Sequence, residues 1–262
     1  MRDVHCHLLK NFIALDYSFQ PKRLPFREKQ YQQIIDLINS FESRKDGINI
    51  LVYGYPNIEK LHVIKSIVED YAEKMSNVFA VHINCWSKNN SHKIISDICD
   101  AIGYNQNSNK KASESCEIIK NFFKKKSAIF VFDEIKNLKE FKIFETISKL
   151  VDKKYLIFII YNKQFFNNNL KSVIKVKNVE FKSYNLNETK GVFKQRIDIV
   201  LYPNVLDNDA FDLITKKSFE IGGLKLGLSI LRKACTDAEM KCQRKITKID
   251  VQRAIDNYKA EE

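Results

Sequence analysis

No run of 18 or more apolar residues occurs anywhere in the 262 residues, so no segment reads as a membrane-spanning helix. The first residues, Met1-Arg2-Asp3-Val4-His5-Cys6-His7, are followed by only a few scattered apolar side chains, which excludes a secretory signal peptide. The six cysteines (6, 85, 99, 116, 235 and 242) form no Cys-x-x-Cys pair. They read as reduced thiols of a cytoplasmic or nuclear protein rather than as a disulfide framework. His5-Cys6-His7 has no second ligand pair at a useful spacing and reads as a chain terminus, not a metal site. Internal repeats are absent, and the one low-complexity stretch, Asn105–Lys111, reads as a polar loop.

Hydrophobic residues make up 44% of the chain and charged residues 29%, which fits a soluble globular fold and not a disordered one. The net charge is +12, and it is unevenly placed. From Leu201 onward 11 basic residues face 10 acidic ones, whereas the first 200 residues carry 33 against 22. Lys163 to Arg196 alone holds eight basic and two acidic residues. A localised positive excess concentrates polyanions and favours phosphate contact. Lysine- and asparagine-rich composition produces the same excess without any nucleic acid, so charge alone leaves both readings open.

Five short runs rich in β-branched and aromatic residues punctuate the first 185 positions: 49–54 (NILVYG), 79–86 (FAVHINCW), 128–134 (AIFVFDE), 155–162 (YLIFIIYN) and 179–184 (VEFKSY). The three central runs are almost continuously apolar, as strands buried on both faces must be. Helical spacing lies between them, as in 60–74, where Val63, Ile67, Tyr71 and Met75 recur, and in 93–102. This alternation predicts an α/β fold with a parallel sheet covered on both sides. After Pro203 only helices are expected, over 210–221, 224–241 and 249–258; the second carries an apolar stripe of Leu224, Leu228, Leu231, Cys235 and Ala238. Thr247-Lys248-Ile249-Asp250 has the form of a capping box. The expected division is an N-terminal extension (1–23), an α/β base (24–202) and a helical domain (203–262).

The first strand runs into Gly54-Tyr55-Pro56-Asn57-Ile58-Glu59-Lys60-Leu61 and then a helix. In a phosphate loop, glycines let backbone N–H groups wrap the phosphates, a lysine reaches the terminal phosphates, and a hydroxyl binds magnesium. Gly54 and Lys60 stand at that spacing, but Glu59 takes the second glycine's place, Leu61 the hydroxyl's, and Asn57 lies at the tip. The third strand ends in Ile129-Phe130-Val131-Phe132-Asp133-Glu134. Four apolar residues followed by two acids form a Walker B pattern: Asp133 as the magnesium partner, Glu134 as the residue that polarises an attacking water. Asn162 closes the fourth strand at the place of a sensor residue beside that water; an asparagine there also serves as a plain turn former.

In their order and spacing these pieces resemble the AAA+ DNA-replication initiators of the origin-recognition and cell-division-control type, particularly the archaeal ones. Asp16-Tyr17 with Leu24-Pro25-Phe26-Arg27-Glu28, Val81-His82-Ile83-Asn84-Cys85, Ile129–Leu138, Phe181–Asn185, and Gly222–Ala234 continuing into Ile246–Val251 carry the resemblance, which covers most of 16–258. It implies an AAA+ P-loop NTPase-type fold, a five-stranded parallel sheet followed by a small all-α lid. It also implies ATP or ADP with Mg2+ as ligand, held between base and lid, and a role in DNA replication and origin recognition. The implied partners are DNA and other initiator subunits or replication proteins, with no membrane, at the nucleoid or in a nucleus.

The departures from the family pattern shape the expectation. The family's sensor-2 helix opens Gly-Asp-x-Arg, and here it reads Gly222-Gly223-Leu224-Lys225, so Lys225 keeps a cation without the bidentate fork. No arginine finger is identifiable; Lys171 and Lys175 are the nearest cations. The family's C-terminal winged helix is not matched, and sequence-specific reading of an origin is not expected from this chain. The expectation is therefore a DNA-binding, initiator-like protein that binds nucleotide weakly and hydrolyses little, with Lys171, Lys175 and Lys177 touching the DNA backbone. The alternatives are a nucleotide-free scaffold derived from an initiator, and an active ATPase of the transposition-helper or clamp-loader type.

Overall fold

The structure is a computed structural model, and it describes residues 8–17, 19, 21, 24–40, 49–56, 58–104, 112–170 and 174–260. Asn57, Lys171, His5-Cys6-His7 and the expected loop 105–111 lie outside the described residues. The chain divides into two compact units: 27–182, and 183–262 together with 1–26.

In the first unit α1 (Glu28–Asn39), β1 (Asn49–Gly54), α2 (Lys60–Lys74), β2 (Val78–Asn84), α3 (Ser91–Ala101), α4 (Ala112–Phe123), β3 (Ser127–Asp133), α5 (Ile143–Leu150), β4 (Lys154–Ile160), α6 (Lys163–Asn169) and β5 (Lys177–Phe181) follow one another. The strands form one all-parallel sheet in the order β2-β3-β4-β1-β5. All five expected strands are present, and the α/β expectation holds. The interior strands β3 and β4 are almost wholly buried and β1 is buried through its middle, which is why they read as continuous apolar runs. The edge strand β5 is mostly exposed and burial alternates only toward its end, so Lys177, Asn178 and Glu180 are tolerated there.

Aromatic packing fixes the middle of this sheet. Phe132 of β3 stacks on Phe158 of β4 at 5.7 Å, and Phe144 of α5 meets both rings edge-on at 5.1 Å. All three rings are fully buried; truncating any one to alanine costs about 3–5 kcal/mol by the behaviour of core phenylalanines. Helix starts are set locally. Asn90 accepts the Lys93 backbone N–H at 2.9 Å and caps α3, and Asn162 accepts that of Gln164 at 2.8 Å and caps α6.

The second unit is helical: α7 (Leu186–Val200), α8 (Asn208–Lys217), a π-helical turn (Ser218–Gly222), α9 (Gly223–Met240) and α10 (Lys248–Ala260). The α9 stripe is buried as its spacing predicts. In the first turn of α10, Asp250 accepts both the backbone N–H of Thr247 (3.0 Å) and its hydroxyl (2.7 Å). Burial alone would raise the Asp250 carboxyl, but these hydrogen bonds outweigh it and hold the group below its ordinary value.

The compact units fall differently from the boundaries expected at 23/24 and 202/203. Val192, Phe193 and Val200 of α7 share one core with α8–α10, so the helical unit begins at Ser183, some twenty residues earlier than composition suggested. The described part of the N-terminal extension is built into that same unit. Leu8, Ala14 and Leu15 enter its core, Leu9 bridges Leu201, and the Tyr202 N–H donates to the Leu8 carbonyl at 3.1 Å. Among the described residues no helix is long and apolar enough to cross a membrane.

One half-buried residue makes stability depend on pH. His82 of β2 has neither ring nitrogen hydrogen-bonded, and burial, helped by the Lys65 charge, pushes its pKa down to about 4 from 6.5. Between these values the unfolded chain binds the proton and the folded chain does not, so stability falls as pH drops through that window. The loss is at most about 3 kcal/mol. Urea midpoints at pH 7.5 and pH 4.5 should differ clearly in the wild type, and the difference should shrink in His82→Phe.

Candidate nucleotide site

Because the sheet is parallel, every strand ends on one edge, and there the sequence placed its chemistry. Gly54 pairs with Phe181, Tyr53 with Ile160, and Asn84 with Asp133. Neighbouring strands stand about 4.8 Å apart, so the loop after β1 and the acids at the end of β3 are separated only by the end of β4.

Gly54 is obligatory at its place. Its φ is +151°, and a Cβ there would sit 2.0 Å from the Phe181 carbonyl oxygen. The loop then folds on itself. The Lys60 ammonium donates to the carbonyls of Gly54 (2.8 Å) and Tyr55 (2.6 Å), and Ile58 turns inward and is buried. Burial lowers the Lys60 pKa to about 8; Asp133 and Glu134 pull it upward and Arg27 pushes it down. Near neutral pH, Lys60 remains a cation facing two carboxylates. Arg27, which introduces α1, is itself buried over the Phe181 ring, 5.4 Å from its centroid.

Glu59 keeps the backbone of the glycine it replaces, with φ +60° and ψ 27° at the start of α2. A left-handed conformation costs a non-glycine residue about 1–2 kcal/mol. Its side chain is fully buried, with Oε1 3.8 Å from Nδ1 of His62. The carboxylate is therefore turned into the protein instead of toward the loop's concave side, which removes the repulsion its sequence position suggests. Leu61 is partly buried and offers no oxygen.

Asp133 ends β3, and Glu134 follows it in a left-handed conformation, φ 54°. The Glu134 backbone N–H donates to Asp133 Oδ1 at 3.0 Å. Burial and then the Glu134 charge raise the Asp133 pKa, against that hydrogen bond and the cations Lys60 and Lys65. Glu134 is exposed and its Oε2 lies 3.4 Å from Lys136 Nζ. Asn162 follows β4 as the N-cap of α6, so its Oδ1 serves the helix start, the turn-forming role that the sequence also allowed.

Gly54, Lys60, Asp133, Glu134 and Asn162 thus gather at one sheet edge. Lys225 belongs to the helical unit, where it is exposed on the first turn of α9. Lys175 and Lys177 lie at the start of β5, away from this edge. Sequence reasoning missed three neighbours. Cys85 donates its backbone N–H to the Asp133 carbonyl at 2.9 Å, and burial together with Asp133 and Glu134 pushes its thiol up to about 12. Tyr55 and Tyr161, both exposed, meet edge-on at 5.8 Å beside the loop. Only the strand ends they sit on could have signalled them. The residues present fit a nucleotide's phosphates, through Lys60 and the Gly54 turn. They fit its metal less well, since Asp133 remains and the hydroxyl does not.

Comparison with known proteins agrees with this layout. Residues 190–256 match the Cdc6 AAA+ ATPase-type lid domain. The chain is 24% identical over 258 residues to the ORC1-type DNA replication protein 1 of Sulfurisphaera tokodaii, covering 92% of this chain and 64% of that protein. The chain therefore spans a little under two thirds of that relative's length. Its fold superposes on the ORC1 protein of Aeropyrum pernix in complex with DNA (TM-score 0.82, 20% identity, 96% of this chain and 70% of that one). It superposes equally on Cdc6p of Pyrobaculum aerophilum (TM-score 0.81, 19% identity, 94% and 71%).

The two ends of the loop should respond unequally to substitution. Gly54→Ala forces a Cβ into the Phe181 carbonyl and should destabilise the first unit by roughly 2 kcal/mol or more. Glu59→Gly relieves the left-handed strain while adding chain entropy, and should change stability by less than about 1 kcal/mol. Equal losses for both in urea unfolding would show that Glu59 is not held in the glycine conformation.

Proposed function

We propose that this chain, a Cdc6/ORC1-like AAA+ protein by its sequence relatives, its lid and its fold, works as an initiator-type module that holds adenine nucleotide weakly, hydrolyses it scarcely and contacts the backbone of duplex DNA. The observation that carries the nucleotide half is the Lys60 ammonium. It is half-buried, cationic near neutral pH, and bonded to the Gly54 and Tyr55 carbonyls of its own loop. A phosphate must compete with those two bonds, each worth about 1.5–3 kcal/mol for a charged donor, and this supports weak binding.

Hydrolysis needs more than phosphate contact. Bound magnesium would supply neutralisation of the charge on the terminal phosphates. With Leu61 in the hydroxyl position, Asp133 is the ligand that the described residues of this edge would offer that ion, and Glu134 is the carboxylate that would orient a water. Turnover is expected far below the 1–10³ s⁻¹ typical of enzymes. Lys225 is the cation that the helical unit contributes to the reading. For the DNA half, the charge of the first 200 residues and the A. pernix ORC1–DNA complex are the supports. Further initiator subunits are the natural protein partners.

Thermal unfolding with ATP tests the nucleotide half. A ligand at a hundred times its dissociation constant stabilises a fold by about 2.7 kcal/mol. Lys60→Ala should abolish whatever protection ATP gives, and protection should fade above about pH 8 as Lys60 loses its charge. Glu59→Gly with Leu61→Thr, which restores glycine and hydroxyl, should strengthen magnesium-dependent binding. A silent Lys60→Ala together with no gain from the double change would falsify the nucleotide half and favour the scaffold. Ordinary turnover that vanishes in Glu134→Gln would favour the active ATPase.

DNA binding is tested separately, by affinity for a 30-base-pair duplex across salt concentrations. The log–log slope should be about −0.9 per phosphate contacted. An affinity that is flat between low and physiological salt would remove the DNA half.

A further inference from the structure

The opposite edge of the sheet, where the strands begin, is lined with lysine. Lys124, Lys125 and Lys126 precede β3, Lys153 and Lys154 open β4, and Lys175 and Lys177 open β5. The register makes these neighbours in space, because Lys154 pairs with Ala128 and Lys177 with Ile50. Lys149, one residue short of the end of α5, borders the same edge, since it lines a cavity there with Lys154 and Lys175.

Their environment is distinctive. Lys125, Lys149, Lys153, Lys175 and Lys177 are exposed, and among the described residues none of them forms an ion pair with a carboxylate. Some lysines elsewhere are paired: Lys88 binds Asp97 at 2.8 Å, Lys233 binds Asp237 at 3.0 Å and Lys217 binds Glu220 at 2.9 Å. Glu145 and Asp152 are the acids beside the strand starts. The cavity among the lysines is ≈460 Å³, and Asn49 and Ser148 add polar groups to its wall.

We infer that this strand-start edge is the track for a duplex DNA backbone, on the side of the sheet away from the nucleotide site. The inference rests on the DNA half of the proposed function and says where that contact is made. From β3 to β5 the edge spans three strand spacings, about 14 Å, which is the axial rise of roughly four base pairs. Lysines at both ends of that span and between them can meet successive phosphates of one strand. Because they contact phosphates and not base edges, the binding is indifferent to sequence. Uncompensated lysines on one edge also raise the local field, which steers a polyanion to that edge.

The test compares two triple charge reversals. One replaces Lys125, Lys153 and Lys177 by Glu on the strand-start edge. The other replaces Lys93, Lys139 and Lys142 by Glu near the strand-end edge, where these exposed lysines flank α3 and α5. Both change the net charge equally. The strand-start triple should weaken binding of a 30-base-pair duplex by at least about tenfold at low salt and flatten the salt slope by up to about three units; the other should lose less than about threefold. The corresponding Lys→Gln triple, with an unfolding midpoint equal to wild type, keeps the comparison valid if a reversal disturbs folding. Equal losses in both triples, or none in the strand-start triple, would overturn the assignment while leaving DNA binding itself in place. A wild-type chain that binds no duplex would remove both.

Discussion

Phe132, Phe144 and Phe158 interlock face to face and edge to face beneath the ends of β3 and β4, and the chemistry of the first unit hangs on that contact. Phe132 immediately precedes Asp133, so the stacked ring fixes where the two acids emerge. Phe158 sets β4 beside β3, and β4 in turn positions β1 and the loop that follows it. A sheet buried on both faces permits no local adjustment: displacing one ring shifts a strand end by a fraction of the 4.8 Å spacing and separates Lys60 from Asp133.

The strand-end edge combines what a phosphate site needs with substitutions that would ordinarily disable one. The backbone of the loop takes glycine-type conformations even where its residue is not glycine. Gly54 cannot carry a side chain, and Glu59 occupies a left-handed conformation that glycine adopts freely. The charge introduced by Glu59 is placed beside His62 instead of facing the loop. Lys60 meanwhile satisfies its ammonium with the loop's own carbonyls. A loop that bonds its own lysine in this way is held without ligand, and under the proposed reading it has less to gain from a phosphate.

The two edges of the sheet are electrostatically unlike. At the strand ends Lys60 faces Asp133 and Glu134, so cation and carboxylates offset one another. At the strand starts Lys125, Lys153, Lys175 and Lys177 stand exposed, with no ion pair to a carboxylate among the described residues. A parallel sheet makes this separation possible because it sends all strand starts one way and all ends the other. The strand starts of β3, β4 and β5 thus bring lysines together although Lys124 and Lys177 lie 53 residues apart in sequence.

Sequence alone determined the five strands, the helices α2, α3, α8, α9 and α10, the glycine of the loop and the two acids, because each is a local signal. Buried parallel strands are continuous apolar runs, helices repeat near 3.6 residues, and a turn with its acids follows a strand directly. Tertiary structure decided the rest. The division at Ser183 depends on which core the side chains of α7 enter, and amphipathic spacing does not say which partner a helix has. The inward turn of Glu59, the bonding of Lys60 to its own loop and the use of Asn162 as a helix cap depend on competing short-range partners. The lysine row depends on strand register, which brings distant residues together without any periodicity along the chain.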